Sequence, residues 1–165
     1  RALIYNGDKK LKLADKAYKV YDEIFARDCL KDVKPYDGIL ELLSNLKSMN
    51  IKTVVLSNKS QAGVEKNIYT IIGEGVFDSI YGERPGIPKK PDPTALNLII
   101  KELGVSKDEI LYVGDTATDM QTAVGAGVKS IGVLWGFRDE KELRENKADY
   151  IVKRPCEILE TAKKI

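Results

Sequence analysis

The feature that most constrains the fold is a repeated alternation of two residue patterns after residue 50. Short apolar, β-branched runs end at turn-forming or polar residues, and stretches with helical spacing lie between them. Short apolar runs bounded by turn residues are typical of strands buried in a parallel sheet, and strands alternating with helices define α/β proteins. The expected strands are 51–56, 77–81, 109–113, 130–134 and 150–152, and the expected helices are 61–72, 93–103, 119–125, 140–146 and one from Cys156. The sequence therefore predicts a Rossmann-like α/β fold with a mainly parallel sheet flanked by helices.

The segment before Pro35 lies outside this alternation. Residues 11–28 have helical spacing, and Pro35 closes a hinge after them. Asp37 is then expected to cap a helix that runs to about Met49. We therefore expect a small helical element followed by the α/β unit.

Composition excludes several classes of function. The chain has 165 residues, enough for a proper core, and its 27 basic residues nearly balance its 25 acidic residues. The basic residues are spread along the chain, so we expect no nucleic acid or membrane partner, and no apolar run reaches transmembrane length. No signal-peptide pattern opens the chain, and a cytoplasmic location is predicted. The absence of His excludes Ser-His-Asp and Cys-His mechanisms within this chain.

Polar residues follow three of the expected strands. Ser57 and Asn58 come after the first strand, Lys90 lies in the loop after the second, and Asp115 and Asp119 follow the third. Ligands of open parallel sheets bind beyond the carboxyl ends of the strands. A hydroxyl and an ammonium group suit a phosphoryl group, whose transfer depends on positioning and charge neutralisation. Two nearby carboxylates suit Mg²⁺, which prefers oxygen ligands.

Each of these residues also has a structural interpretation. Ser57 could simply cap the following helix, and Lys90 alone would be a solvated loop residue. Asp115 and Asp119 could be a turn residue and a charge at a helix start. It is the ordered combination, each member at a strand end, that favours phosphoryl chemistry.

Several segments resemble motifs of the haloacid dehalogenase-type phosphatases. Residues 54–59 are similar to the second motif, an apolar strand ending in Ser or Thr followed by Asn. Residues 89–93 resemble the third motif, with Lys directly before Pro, and 111–119 resemble the fourth, with Gly-Asp and a second Asp four positions on. The segment 132–151 is similar to the phosphoglycolate phosphatase-like branch. The resemblance covers essentially all of 35–165.

The resemblance implies a phosphoric monoester hydrolase that uses Mg²⁺ and acts on a small phosphorylated metabolite, such as phosphoglycolate, through an aspartyl-phosphate. In that mechanism Ser57 holds a phosphoryl oxygen, helped by the backbone of Asn58. Lys90 stabilises the phosphoryl group and the nucleophile. Asp115 binds Mg²⁺ directly or through water, and Asp119 completes the metal site.

The chain departs from the family pattern in its first motif. That motif is Asp-x-Asp on a strand at the centre of the family's sheet, between the strands expected here at 51–56 and 109–113, and no Asp-x-Asp occurs in this sequence. The resemblance therefore implies that 1–34 is a remnant of a helical cap and that 35–165 is a core lacking its first strand. The tyrosines expected to line the cap face are Tyr5, Tyr18 and Tyr21.

Three alternatives remain open. A sugar-phosphate mutase of the same superfamily shares these motifs, and its distinguishing residues lie largely in the part that has no counterpart here. A metal-free dehalogenase is disfavoured by Asp115 and Asp119, because two carboxylates favour a metal. A non-catalytic module that binds phosphate or a partner is the alternative if the nucleophile strand is truly absent.

Overall fold

The structure is a computed structural model, and it describes residues 13, 15–17, 20, 24, 30 and 33–163. The chain divides into two compact units, Arg1–Lys34 and Pro35–Ile165. In the first unit, residues 13, 15–17, 20 and 24 are helical, as their spacing predicts. The three tyrosines expected to line a cap face lie outside the described residues, and the assignment of this unit as a cap remains a prediction. No helix among the described residues has the length and apolarity needed to cross a bilayer.

Helices and strands alternate along the second unit, which confirms the expected α/β class. Over 33–163 the strands are β1 (Val54–Ser60), β2 (Ser79–Glu83), β3 (Leu111–Gly114), β4 (Lys129–Val133) and β5 (Tyr150–Val152). The α-helices are α1 (Ile39–Ser48), α2 (Gln61–Ile71), α3 (Thr94–Leu103), α4 (Ala117–Ala126), α5 (Glu140–Glu145) and α6 (Cys156–Ala162). A single-turn 3₁₀ helix, Lys107–Glu109, precedes β3.

The three strand pairings within 33–163 are all parallel, and they form two separate sheets. Strand β1 pairs with β2, whereas β3, β4 and β5 form a second sheet in that order. Among the described strands, β1 and β3 therefore each have a partner on one side only. Each of these two strands keeps an open edge.

Helices cover both faces of the second sheet. One apolar cluster joins α1 and α6 to β4 and β5, and its buried members are Leu42, Ile131, Val133, Val152 and Ile158. The other joins α3 and α4, and its buried members are Leu96, Ile100, Ala123, Ala126 and Val128. In β3, Leu111 packs against the first cluster and Tyr112 against the second, because successive side chains of a strand point to opposite faces. Burying one large aliphatic side chain contributes about 1.5–3 kcal/mol, so these clusters hold the layers together.

The element boundaries correct two predictions. Helix α1 begins after Gly38, whose φ of 85° lies in the left-handed region that suits glycine. No side chain caps the helix, so the predicted cap at Asp37 is wrong. Strand β1 starts at Val54 and runs through Ser57 to Ser60 instead of ending at residue 56. The hydroxyl of Ser60 accepts a hydrogen bond from the N–H of Gly63 and caps α2. Ser57 is therefore not the helix cap that its structural interpretation required.

A cleft of about 800 Å³ lies between the two sheets. Its walls include Val54 and Leu56 from β1 and Leu111 and Val113 from β3, and helices from both faces of the fold complete them. The lining is mostly aliphatic. At the carboxyl ends of the strands, however, the cleft is lined by polar and glycine residues, which are Lys90, Gly114, Asp115 and Gly136.

Candidate active site

Lys90 joins the ends of the two sheets. Its ammonium donates hydrogen bonds to the backbone oxygen of Leu56 at 3.0 Å and to Oδ1 of Asp119 at 2.7 Å. The Lys90 and Asp119 side chains are 13% and 9% exposed, so this ion pair is largely removed from water. The interpretation of Lys90 as a solvated loop residue is therefore wrong.

The loop after β3 positions Asp119 at the start of α4. Thr116 is the N-cap residue, and its hydroxyl accepts a hydrogen bond from the Asp119 N–H. In return the Asp119 carboxylate accepts from the backbone N–H of Thr116, and the two bonds form a capping box. Oδ2 of Asp119 accepts from the Thr116 hydroxyl at 2.6 Å and from the N–H groups of Thr116 and Asp115 at 3.1 and 3.3 Å. These bonds orient the other carboxylate oxygen toward Lys90.

The contacts of Asp119 decide its charge. Burial raises the pKa of this carboxyl, but the Lys90 ammonium, the Thr116 hydroxyl and the Asp115 N–H outweigh burial, and the net pKa is lowered. Asp119 is therefore ionised at neutral pH. A Cβ on Gly114 would collide with the Asp119 side chain, so the glycine of the Gly-Asp pair makes room for this carboxylate.

Asp115 lies at the same end of the cleft, in the turn between β3 and α4. Its Oδ2 accepts a hydrogen bond from the backbone N–H of Phe137 at 2.9 Å. A Cβ on Gly136 would collide with the Asp115 carboxylate, which explains why glycine precedes Phe137. The loop after β4 therefore fixes the orientation of Asp115, a constraint that local sequence patterns do not reveal.

Ser57 and Asn58 lie in the second half of β1. The carboxamide of Asn58 donates to the carbonyl oxygen of Lys90 at 2.9 Å and accepts from the Lys90 N–H at 2.8 Å. The Ser57 hydroxyl accepts from the Lys59 N–H at 3.2 Å. The structure thus brings Asn58, Lys90 and Asp119 into one hydrogen-bonded chain, with Ser57 beside Asn58 in sequence.

Tyr112 is a member of this cluster that sequence reasoning missed. The Lys90 ammonium lies 6.0 Å from the centre of its ring. Burial raises the pKa of the Tyr112 phenol, and the nearby Asp119 carboxylate raises it further, so the phenol stays neutral. The available signal was strand alternation, which places residues 112 and 114 on the same face of β3.

The carboxylates fit a hard divalent cation only in part. No group of three or more His, Cys, Asp or Glu side chains that could hold a metal occurs among the described residues. Asp115 uses one oxygen on Phe137 and can offer the other, whereas Asp119 already accepts a bond from Lys90 and several from its own helix turn. Mg²⁺ is commonly held by one or two carboxylates together with water and phosphate oxygens, and Asp115 fits that arrangement directly.

Sequence comparison identifies the family. The family of haloacid dehalogenase-like hydrolases matches residues 2–133, and the chain belongs to it. A phosphoglycolate phosphatase of Aquifex aeolicus is 34% identical over 152 residues, which are 89% of this chain and 70% of that protein. One from Pectobacterium atrosepticum is 30% identical, over 84% of this chain and 59% of its own length. A pyrophosphatase PpaX of Halalkalibacterium halodurans is 28% identical, over 79% of this chain and 60% of that protein.

Solved structures agree with the fold. A protein from Lactobacillus delbrueckii subsp. bulgaricus is 32% identical with a TM-score of 0.85, over 92% of this chain and 63% of that chain. A predicted phosphatase from Clostridium acetobutylicum is 27% identical with a TM-score of 0.84, over 98% of this chain and 74% of that chain. The expected membership of the phosphoglycolate phosphatase-like branch is confirmed. The chain spans about 60 to 70% of the length of the curated relatives described above.

Proposed function

We propose that the protein containing this chain is a Mg²⁺-dependent phosphatase that hydrolyses a small phosphomonoester. The observation that carries the proposal is the placement of Lys90 and Asp115 at the polar end of the cleft, with Asp119 paired to Lys90. Ligands of parallel sheets bind at this edge. The relatives named phosphoglycolate phosphatase support a substrate of the 2-phosphoglycolate type.

The contacts of Lys90 support its role with phosphate. An ammonium group has three N–H donors, and Lys90 uses two of them on Leu56 and Asp119. The third can donate to a phosphoryl oxygen or to the nucleophile in the cleft. Because Asp119 is ionised and paired with Lys90, it keeps the Lys90 ammonium in place between substrate turnovers.

Ser57 and Asn58 are proposed to hold a second phosphoryl oxygen, through the Ser57 hydroxyl and the backbone N–H of Asn58. Asp115 would hold Mg²⁺, and Asp119 would complete the site. The bound cation would neutralise charge on the phosphoryl oxygens. The orientation of the Asp115 carboxylate by the Phe137 N–H prepares this site before the cation binds.

The nucleophile is proposed to be an Asp on a strand that occupies the cleft, supplied by residues outside these 165, among which no Asp-x-Asp occurs. Strands in a sheet lie about 4.8 Å apart, and β1 and β3 each offer an open parallel edge to the same apolar cleft. A strand between them would place its carboxyl end beside Lys90 and Asp115. Its Asp would attack phosphorus, the leaving alcohol would take a proton from a second Asp, and water would then hydrolyse the aspartyl-phosphate.

The test uses the native polypeptide that contains these 165 residues. Phosphate release from 2-phosphoglycolate, pyrophosphate and an aryl phosphate is measured with Mg²⁺ and with EDTA. Asp115→Asn is expected to lower kcat/KM at least about 100-fold, because its carboxylate holds the cation. Asp37→Asn, an exposed carboxylate outside the cleft, is the charge-matched control and is expected to retain activity.

Two results would reject the proposal. Absence of phosphate release from every ester would leave a non-catalytic phosphate-binding module as the better description. Full activity in Asp115→Asn would remove the metal site as assigned. Isomerisation of a sugar phosphate without net phosphate release would instead identify a mutase.

A further inference from the structure

We infer that the side chain of Asn58 is a positioning residue for Lys90, a role that rests on the proposed function. Asn58 is in β1, and Lys90 lies 32 residues later in the loop that follows β2. The carboxamide of Asn58 bonds to both polar backbone groups of Lys90. One side chain therefore fixes the main-chain position from which the ammonium extends.

The geometry is that of a two-point clamp. Nδ2 of Asn58 donates to the Lys90 carbonyl oxygen at 2.9 Å, and Oδ1 accepts from the Lys90 N–H at 2.8 Å. A single hydrogen bond leaves a segment free to rotate about it, whereas two antiparallel bonds restrict both translation and rotation. The two bonds therefore fix the position of the loop in the way that a pair of inter-strand hydrogen bonds fixes the position of a strand.

The loop needs such a clamp because its own sequence provides little regular structure. Two prolines, Pro88 and Pro91, flank the two lysines and supply no backbone N–H donor. Outside the clamp, the Asp92 N–H donates to the Lys89 carbonyl oxygen at 3.0 Å, which closes a single turn. The backbone of Lys90 itself is held by Asn58.

The same contacts separate this role from direct substrate binding. Both ends of the Asn58 carboxamide face the Lys90 main chain, so the side chain is engaged before any substrate binds. The phosphoryl contact proposed for Asn58 uses its backbone N–H, which is a different group. The side chain acts on the reaction through Lys90.

A double-mutant cycle in the native polypeptide tests the inference. Asn58→Ala is expected to lower kcat about 100-fold, as misplacement of a catalytic group by about 1 Å can do. In a Lys90→Met background, Asn58→Ala is expected to lower kcat further by less than about 3-fold, because residues that act as one unit are strongly non-additive. Asn97→Ala, which changes an exposed Asn of α3, is the matched control and is expected to have no effect in either background.

Amide hydrogen exchange supplies a readout that is independent of turnover. The Lys90 N–H is expected to exchange at least about 10-fold faster in Asn58→Ala, since its acceptor is lost, while amides of β4 keep their protection. Asn58→Asp is a second variant for the case in which the alanine protein does not fold. It keeps the acceptor for the Lys90 N–H and loses the donor to the Lys90 carbonyl, so protection is expected to persist while kcat falls.

Multiplicative losses in the double variant would overturn the inference, since they indicate that Asn58 acts on substrate independently of Lys90. Unchanged exchange of the Lys90 N–H in Asn58→Ala would overturn it as well. Failure of the proposed function is recognised separately, because it appears in the wild-type protein as absence of turnover. Failure of the positioning role appears only in the variants of an active protein.

Discussion

Replacing Lys90 with Met tests how strongly the ion pair at the carboxyl ends of β1 and β3 stabilises the fold. Met keeps the apolar stem and removes the ammonium that contacts Asp119 at 2.7 Å. Removing one partner of a buried ion pair costs about 3–5 kcal/mol, because the remaining charge is left without compensation. Oδ2 of Asp119 keeps its donors from Thr116 and Asp115, so we expect the lower end of that range.

Lys89 provides a matched control one residue away. Its ammonium pairs with Glu83 at 2.8 Å, but the two side chains are 52% and 42% exposed. Exposed ion pairs contribute about 0–1 kcal/mol because water screens them. Lys89→Met therefore removes the same charge from the same loop and should leave the free energy of unfolding nearly unchanged.

The assay is urea unfolding of the native polypeptide, followed by circular dichroism in EDTA without phosphate. With a urea m-value of about 2 kcal/mol/M, a loss of about 3 kcal/mol lowers the midpoint by about 1.5 M. Equal midpoints for Lys90→Met and Lys89→Met would refute the reasoning. A loss below about 1 kcal/mol in Lys90→Met would also refute it, since it would show that the buried Asp119 carboxylate does not need the Lys90 ammonium for stability.

Three further predictions concern the supports of the site and the sheet. Gly136→Ala is expected to displace the Asp115 carboxylate and raise the Mg²⁺ concentration that half-saturates activity, measured by metal titration. Asp149 is partly buried, which raises its pKa, but bonds to Lys129 and Ser130 lower it on balance. Its stabilising contribution should therefore be present at neutral pH and lost as pH falls through its folded pKa, so that melting temperatures of wild type and Asp149→Asn converge in acid. Gly132→Ala is expected to cost about 1–3 kcal/mol in chemical denaturation, because a Cβ there presses on side chains of α5 and β5.

The order of strands and helices was predictable because it depends on local patterns. Short apolar runs such as 54–56 stand out from the helical spacing around them, and each was found within a few residues of its expected position. The end of β1 was misplaced because a tertiary contact decides it. Strand β1 continues past residue 56 to Ser60, which pairs with Glu83 of β2, and Ser60 then caps α2 through a local bond.

Within the candidate site, the sequence identified the residue types but not their connections. Ser57, Asn58, Lys90, Asp115 and Asp119 were selected because they follow strands or match family motifs. The clamp of Asn58 on Lys90 spans 32 residues, and the contact of Asp115 with Phe137 spans 22, so no local pattern reports either of them. The roles assigned to these five residues remain predictions that the experiments above can decide.

The open edges of β1 and β3 have a consequence for handling the isolated chain. Unpaired N–H and C=O groups along a strand act as templates for pairing with other extended segments, including a second copy of the same protein. We expect the 165-residue polypeptide produced alone to self-associate in a concentration-dependent manner. Co-expression with a peptide able to fill the cleft should suppress this aggregation. The solubility of the polypeptide then reports whether the cleft between the sheets is occupied.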